Sequence, residues 1–252
     1  MSSVNISNRY LKKTNWLSPI ECTFVINNAV DIWKICVSEN TSLLESFLAV
    51  MHPEEIERAK RYFFTKDKNR HIVCHGALRI ILGQYLNTPP LLLVFGTGMY
   101  GKPFVENSNA VNIQFNISHS GDYILIAITN DEVGVDIEMI REEFDYSDII
   151  GEYFSAAEIN FIKQNNSAKR FFMFWTRKEA LLKATAKGLD DDLKLVCSMD
   201  GTHAISGNTI STINNWEISS FNVNPQYIAS IAVNPSVIAA GYWDIDFNKI
   251  NF

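Results

Sequence analysis

The stretch 133–140, VGVDIEMI, carries two carboxylates two residues apart in an otherwise apolar run. Side chains alternate along a strand, so Asp136 and Glu138 share one face with Gly134, while Val135, Ile137 and Met139 share the other. Two like charges side by side repel, and are tolerated at a wet strand end or around a cation. A third carboxylate comes from 170–189, RFFMFWTRKEALLKATAKGL, where an apolar face at helical spacing predicts a long helix. Trp175, Glu179 and Lys183 fall at i, i+4 and i+8 on one stripe, beside Lys178. Glu179 and Lys183 alone could be a solvated ion pair worth a few tenths of a kcal/mol. Set beside Asp136 and Glu138, Glu179 completes a carboxylate set of the kind that Mg²⁺ accepts.

Two other stretches could carry chemistry. Ser118-His119-Ser120 is expected in a hairpin turn, where hydroxyls and an ionisable ring suit a phosphate. Gly96-Thr97-Gly98-Met99-Tyr100-Gly101 fits the dinucleotide pattern GxGxxG. That mechanism needs a helix starting inside the motif, and Lys102-Pro103-Phe104-Val105 follows instead, so a nicotinamide-dependent oxidoreductase is disfavoured. Neither a GxSxG elbow nor an HExxH pair is present.

The 252 residues are 47% hydrophobic and 20% charged, which suits one large globular domain or two small ones. A net charge of -6 argues against a general nucleic-acid binder. Cys22, Cys36, Cys74 and Cys197 are far apart, which argues against a zinc site or a disulfide framework and fits a reducing cytoplasm. Apolar runs such as 91–95 and 124–128 are too short to span a bilayer, so no membrane partner is expected.

Taken in order, residues 1–20 read as a polar arm, 29–37 as a strand, and 43–50 as a short helix. Pro53 with Glu54 and Glu55 opens a second helix that carries Arg58, Lys60 and Arg61. A long helix over 67–86 follows, then strands over 91–95 and 103–105, a hairpin over 111–117 and 123–129, and the strand 133–140. The second part repeats this grammar with helices over 154–162 and 171–186, capped by Asn165, Asn166 and Ser167 and ended by Gly188. A strand over 193–196 and a hairpin over 216–223 and 227–233 complete it. FNISHSGDYILIAI (115–128) resembles FNVNPQYIASIAV (221–233). The expected fold is therefore α+β: a pseudo-dimer of two similar halves, 1–130 and 131–252, with the seam near Asn130.

These pieces together resemble the Sfp-type 4′-phosphopantetheinyl transferases. The likeness runs from about His52 to Gly188. It rests on the basic helix and Arg70, the turn Gly101-Lys102-Pro103, FNISHS, GVDIE and FWTRKEALLKA, the last two being highly specific at this separation. The resemblance implies an active site in the cleft between the halves. It implies coenzyme A as co-substrate, whose phosphopantetheine arm passes to a serine of an acyl or peptidyl carrier protein, leaving adenosine 3′,5′-bisphosphate. By the same resemblance Asp136, Glu138 and Glu179 hold Mg²⁺ and Lys183 contacts the phosphates. Ser118 and His119, with Arg58, Arg70 and Lys102, hold the 3′-phosphate and adenosine end. Glu179 serves as base for the serine, directly or through water. Tyr153-Phe154-Ser155 and Glu158, with Phe161 and Lys163, resemble a family stretch expected to meet the carrier.

Departures stand at Ala186, where many relatives have glycine, and at Glu55 and His71, where many have a basic and a small hydroxyl residue. They touch the coenzyme A side rather than the carboxylates. A non-catalytic relative that binds coenzyme A or a carrier is the alternative, and intact Asp136, Glu138, Glu179 and Lys183 argue against it. An internal pseudo-dimer can work alone, so a monomer is expected, in the cytoplasm.

Overall fold

Alternation and helical periodicity account for most elements of the computed structural model, which describes residues 3–107, 112–164, 167–188 and 191–250. The first part runs β1 (Ser3–Leu11), β2 (Ala29–Cys36), α1 (Leu44–Val50), α2 (Pro53–Lys60), α3 (Thr65–Leu86), β3 (Phe95–Thr97), β4 (Pro103–Val105), β5 (Gln114–Ser120) and β6 (Tyr123–Thr129). The second runs β7 (Val133–Met139), α4 (Ser147–Tyr153), α5 (Ala156–Ile162), α6 (Ser167–Thr185), β8 (Gly201–Ser206), β9 (Trp216–Asn224), β10 (Tyr227–Val233) and β11 (Ala239–Ile245).

One sheet has the order β11-β2-β6-β5, the other β7-β10-β9-β1-β8. In each, a strand is followed by a long helix and then a hairpin, and the hairpin's second strand returns beside the first: β2, α3, β5, β6 in one and β7, α6, β9, β10 in the other. The molecule is thus a pseudo-dimer of two α/β units. Alternation sets the layers. Val30, Ile32, Leu125 and Ala127 of one sheet pack on Val133, Val135, Ile137 and Ile231 of the other. The opposite face of the first sheet, through Trp33, Ile35, Ile124 and Ile126, buries α3. The opposite face of the second, through Ile6, Trp216, Ile218 and Ala232, buries Ala180, Leu181 and Ala184 of α6.

The chain ends are exchanged between the units. Residues 3–11, expected as an arm, form a strand that pairs parallel with β9 and antiparallel with β8. Val4 and Ile6 are wholly buried there, and the alternation V-N-I-S-N was its signal. β11, which the pattern reading passed over, pairs parallel with β2.

Other expectations change locally. The run 91–95 gives a 3₁₀ turn over Pro90–Leu92 before β3, and 193–196 gives another over Asp191–Leu195, because buried carbonyls there face side chains rather than a neighbouring strand. Arg79 takes the carbonyls of Pro90 and Leu93, and Lys178 those of Leu193 and Val196. The glycine-rich loop holds one 3₁₀ turn over Met99–Gly101 and returns into β4, closed by the Gly98 amide on the Lys102 carbonyl at 2.8 Å, and no α-helix starts in it. α6 ends at Thr185, three residues before Gly188. Ala186 takes φ +52° and the Lys187 amide bonds the Leu182 carbonyl, a Schellman closure. Residues 108–111, part of an expected strand, and the expected caps Asn165 and Asn166 lie outside the described residues.

Candidate active site

β7 aims its polar face at α6 because its other face is packed between the sheets. Gly134 lets the two elements touch: a Cβ there would overlap the Ala180 carbonyl oxygen and the Ala184 amide nitrogen. With helix and strand this close, Lys183 reaches Asp136 Oδ1 at 2.7 Å, and also the Ser118 hydroxyl at 3.1 Å and the Val135 carbonyl at 3.3 Å. The ion pair is therefore Lys183–Asp136, across elements, and not the i,i+4 pair with Glu179 that spacing alone allowed.

Asp136 is 4% exposed, and burial pushes its carboxyl up despite Lys183 and Ser118. Its Oδ1 takes the Ser118 hydroxyl at 2.8 Å, while its Oδ2 is buried with no hydrogen-bond partner. Glu138 is raised by burial and by the neighbouring Asp136 charge, and its Oε2 accepts from Ser120 at 2.8 Å. Glu179 is pushed up to about 7, first by burial and then by Asp136, with Lys183 opposing and Glu138 adding. All three acids are raised by burial, Asp136 further raises Glu138, and both of these raise Glu179, a pattern that marks functional sites. Among the described residues no three acidic, histidine or cysteine side chains already converge as a finished cation site. The set nevertheless fits a cation: a buried Asp136 oxygen has no partner, and the repulsion of Asp136 and Glu138 on Glu179 is only partly offset by Lys183.

A cleft of about 360 Å³ opens beside this set, lined by Tyr100, Lys102, Asn116, Glu179, Lys183 and Ala186 among others. Lys102 belongs to its wall, but its amine donates to the carbonyls of Val133 and Ala184, both at 3.1 Å, tying the GKP turn to β7 and to the end of α6. Burial holds it below the ordinary lysine range. Ser118 is likewise buried and committed to Asp136 and Lys183. Ser118 has its one proton on Asp136, and Lys102 spends two of its three N–H donors on the buried carbonyls of Val133 and Ala184.

Ser118-His119-Ser120 forms the end of β5, not a turn, so the serines and the imidazole point to opposite faces. The hairpin turns one residue later, at Gly121 with φ +54°. His119 is exposed at its surface, and partial burial by its surroundings, then the charges of Arg70 and Lys183, depress its pKa. Arg70 pairs with Asp67 at 2.6 Å and reaches the Gly121 carbonyl at 3.5 Å. Arg58 is exposed on α2, in a separate cavity of about 840 Å³ with Glu54, Glu57, Arg61 and Tyr62. Asp136, Glu138, Glu179, Lys183 and Ser118 thus form one group, His119 and Arg70 a second beside it, and Arg58 lies further along.

α2 is set by Glu55, whose carboxylate takes the His52 amide, His75 and the buried Arg79, and is held near 2 by these partners against burial. His71 stacks on His75 and is pushed down to about 4, mainly by burial. Both departures therefore face inward as packing. The expected carrier patch is also partly interior. Phe154 is 3% exposed against Phe171 and Trp175, and Ser155 caps α5 in a box with Glu158. Glu158 is fully buried and pairs with Lys178 at 3.3 Å. Of Tyr153, Phe154, Ser155, Glu158, Phe161 and Lys163, only Lys163 is exposed. Sequence reasoning missed Asn116 and gave Ser120 a phosphate where the structure gives it Glu138; the signal was the alternation N-I-S-H-S opposite G-V-D-I-E.

Comparison with known proteins agrees with this layout. The model of the 4′-phosphopantetheinyl transferase superfamily matches residues 132–232, and that of the 4′-phosphopantetheinyl transferase N-terminal region matches 36–131. The chain is 33% identical over 198 residues to a putative 4′-phosphopantetheinyl transferase of Synechocystis sp., covering 75% of this chain and 78% of that one. It is 27% identical to 4′-phosphopantetheinyl transferase HetI of Nostoc sp., over 86% of this chain and 93% of the relative. To 4′-phosphopantetheinyl transferase Sfp of Bacillus subtilis it is 25% identical, over 76% and 86%. With two such halves and this acidic seam, the chain belongs to the 4′-phosphopantetheinyl transferase family of enzymes. Among the described residues no helix is long and apolar enough to cross a membrane.

Proposed function

We propose that this chain moves the 4′-phosphopantetheine arm of coenzyme A onto a serine of an apo acyl or peptidyl carrier protein in an Mg²⁺-dependent reaction, with residues 1–130 serving the adenosine side and 131–252 the reacting side. The observation that carries the reading is the set Asp136, Glu138 and Glu179, three acids raised by burial, with an unpartnered buried Asp136 oxygen and Lys183 beside it. These three side chains would hold Mg²⁺, which supplies charge stabilisation at the pyrophosphate.

The chain's own residues divide the remaining work. Glu179, in the cleft wall beside Lys183, is placed to accept the proton of the carrier serine, directly or through water. The serine oxygen bonds to the phosphorus bearing the pantetheine arm as the pyrophosphate P–O bond breaks, and adenosine 3′,5′-bisphosphate leaves with that oxygen. Lys183, moved from Asp136, meets the charge that develops on the phosphates. Arg70 and Arg58 provide the cationic side for the 3′-phosphate, and His119 a ring N–H donor. Lys102 and Ser118 act by holding the cleft wall and Asp136 in place.

The test is direct. The protein is incubated with coenzyme A, Mg²⁺ and an apo carrier, and the carrier is weighed for the added arm. Asp136→Ala and Glu179→Gln should each remove transfer while the circular dichroism stays that of the parent, and EDTA should do the same to the parent. Full transfer by Asp136→Ala in Mg²⁺ would refute the assignment.

A further inference from the structure

β5 and β7 lie at the meeting edges of the two sheets, yet they share no backbone ladder. The β7 amides on that edge are taken by β5 side chains instead. Asn116 Oδ1 accepts from the Val135 amide at 2.8 Å, Ser118 Oγ from Ile137 at 3.3 Å and Ser120 Oγ from Met139 at 3.0 Å. Each step is two residues on both strands, so three residues on one face of β5 occupy the place of a neighbouring backbone. The two serines go further. Ser118 donates to Asp136 Oδ1 and Ser120 to Glu138 Oε2, both at 2.8 Å. Each hydroxyl accepts from the amide of one β7 residue and donates to the carboxylate of the residue before it. Asn116 has the same amide contact but stands opposite Gly134, which has no side chain.

The directions of these bonds matter. A serine hydroxyl has one proton, and an amide on its lone pair leaves that proton for the carboxylate. One oxygen of each acid is thereby fixed in rotation, and the remaining Asp136 oxygen is the one with no protein partner. Outer partners of ligating carboxylates set their orientation and basicity. We propose that Ser120, with Ser118, is a positioning residue: the hydroxyls clip Glu138 and Asp136 into the orientation in which their free oxygens receive the divalent cation. This rests on the metal assignment made above. It gives FNISHS a role at the seam, distinct from phosphate contact by its serines.

Ser120 is the position to test, because Ser118 also meets Lys183. Mn²⁺ is titrated into the protein with saturating coenzyme A and followed by electron paramagnetic resonance, alongside thermal melting. Ser120→Ala should raise the Mn²⁺ dissociation constant about tenfold, the usual cost of losing an outer-shell partner. Ser120→Thr keeps the hydroxyl and should stay within about threefold of the parent. In a Glu138→Gln background the alanine change should cost nothing further.

Parental affinity in Ser120→Ala would overturn the proposal, and so would a threonine variant as weak as alanine at an unchanged melting temperature. An additional loss in the Glu138→Gln background would also overturn it, by showing that the serine acts otherwise than through Glu138. Should Ser120→Ala not fold, Ser120→Cys, similar in size with a poor donor, takes its place with the same expectation. Asp136→Ala separates the two levels. Parental Mn²⁺ affinity in that variant refutes the metal assignment itself, whereas loss there with parental affinity in Ser120→Ala refutes only the clip.

Discussion

Glu179 is where the cost of assembling the site is concentrated. Its carboxyl sits near 7 in the folded protein against 4.5 ordinarily, so the fold favours its protonated form. The sign follows from linkage. Below about pH 4.5 both states are protonated and the fold loses nothing; between 4.5 and about 7 the unfolded chain ionises first and stability falls, and above about 7 the loss is complete. Glu179→Gln cannot ionise. In the metal-free protein it should therefore melt a few degrees higher than the parent at pH 8, on the order of 1–2 kcal/mol after allowance for partial exposure. The difference should shrink to nothing near pH 4.5 and below. Melting curves across that range check it, and a glutamine variant less stable than the parent at pH 8 would contradict the raised carboxyl. The same residue then shows function set against stability: the substitution that relieves the fold is the one expected to end transfer.

The contact of α6 with β7 makes the site possible, and two backbone positions govern it. Gly134 allows the approach; a methyl group there would push on the helix backbone at Ala180 and Ala184. Ala186 ends the helix at φ +52°, a conformation that costs an L-residue with a Cβ roughly 1 kcal/mol and glycine little. A glycine at this place would suit the Schellman closure without that cost. Ala186→Gly should accordingly stabilise the protein by up to about 1 kcal/mol, with a rise in melting temperature of about 2–4 °C. Calorimetry of the two proteins measures this. A drop in melting temperature would mean that the methyl group's packing in the cleft wall outweighs the strain. The buried Lys178–Glu158 pair fixes the other side of the same helix, with the lysine also on the carbonyls of Leu193 and Val196.

At the scale of the molecule, the exchanged ends bind the two units into one cooperative body. β1 completes the sheet that carries β7, and β11 completes the sheet that carries β5. A chain cut after Asn130 should therefore not yield a folded 131–252 piece. Without β1, the parallel edge of β9 and the apolar surfaces that cover Val4 and Ile6 would be open to water. Co-expression of 1–130 with 131–252 should restore a soluble complex with parental circular dichroism. Cooperative melting of 131–252 alone would show that the exchange is dispensable.

Much of this protein was legible before any coordinate. The alternation of GVDIE put Asp136 and Glu138 on one face, the 3.6 period put Glu179 and Lys183 on one stripe, and the echo of one hairpin in another gave the two-unit plan, because these are local periodicities that the chain imposes on itself. Local rules did not reach β1, whose polar residues hide a two-residue alternation that matters only once β8 and β9 lie on either side. Nor could they choose the partner of Lys183, since an i,i+4 neighbour and a residue 47 positions away compete only when helix and strand touch. The seam of Asn116, Ser118 and Ser120 is the clearest case. The residue types are written in the chain, but whether a serine faces a phosphate or a carboxylate depends on how far apart two strand edges are held, and long-range packing alone sets that distance.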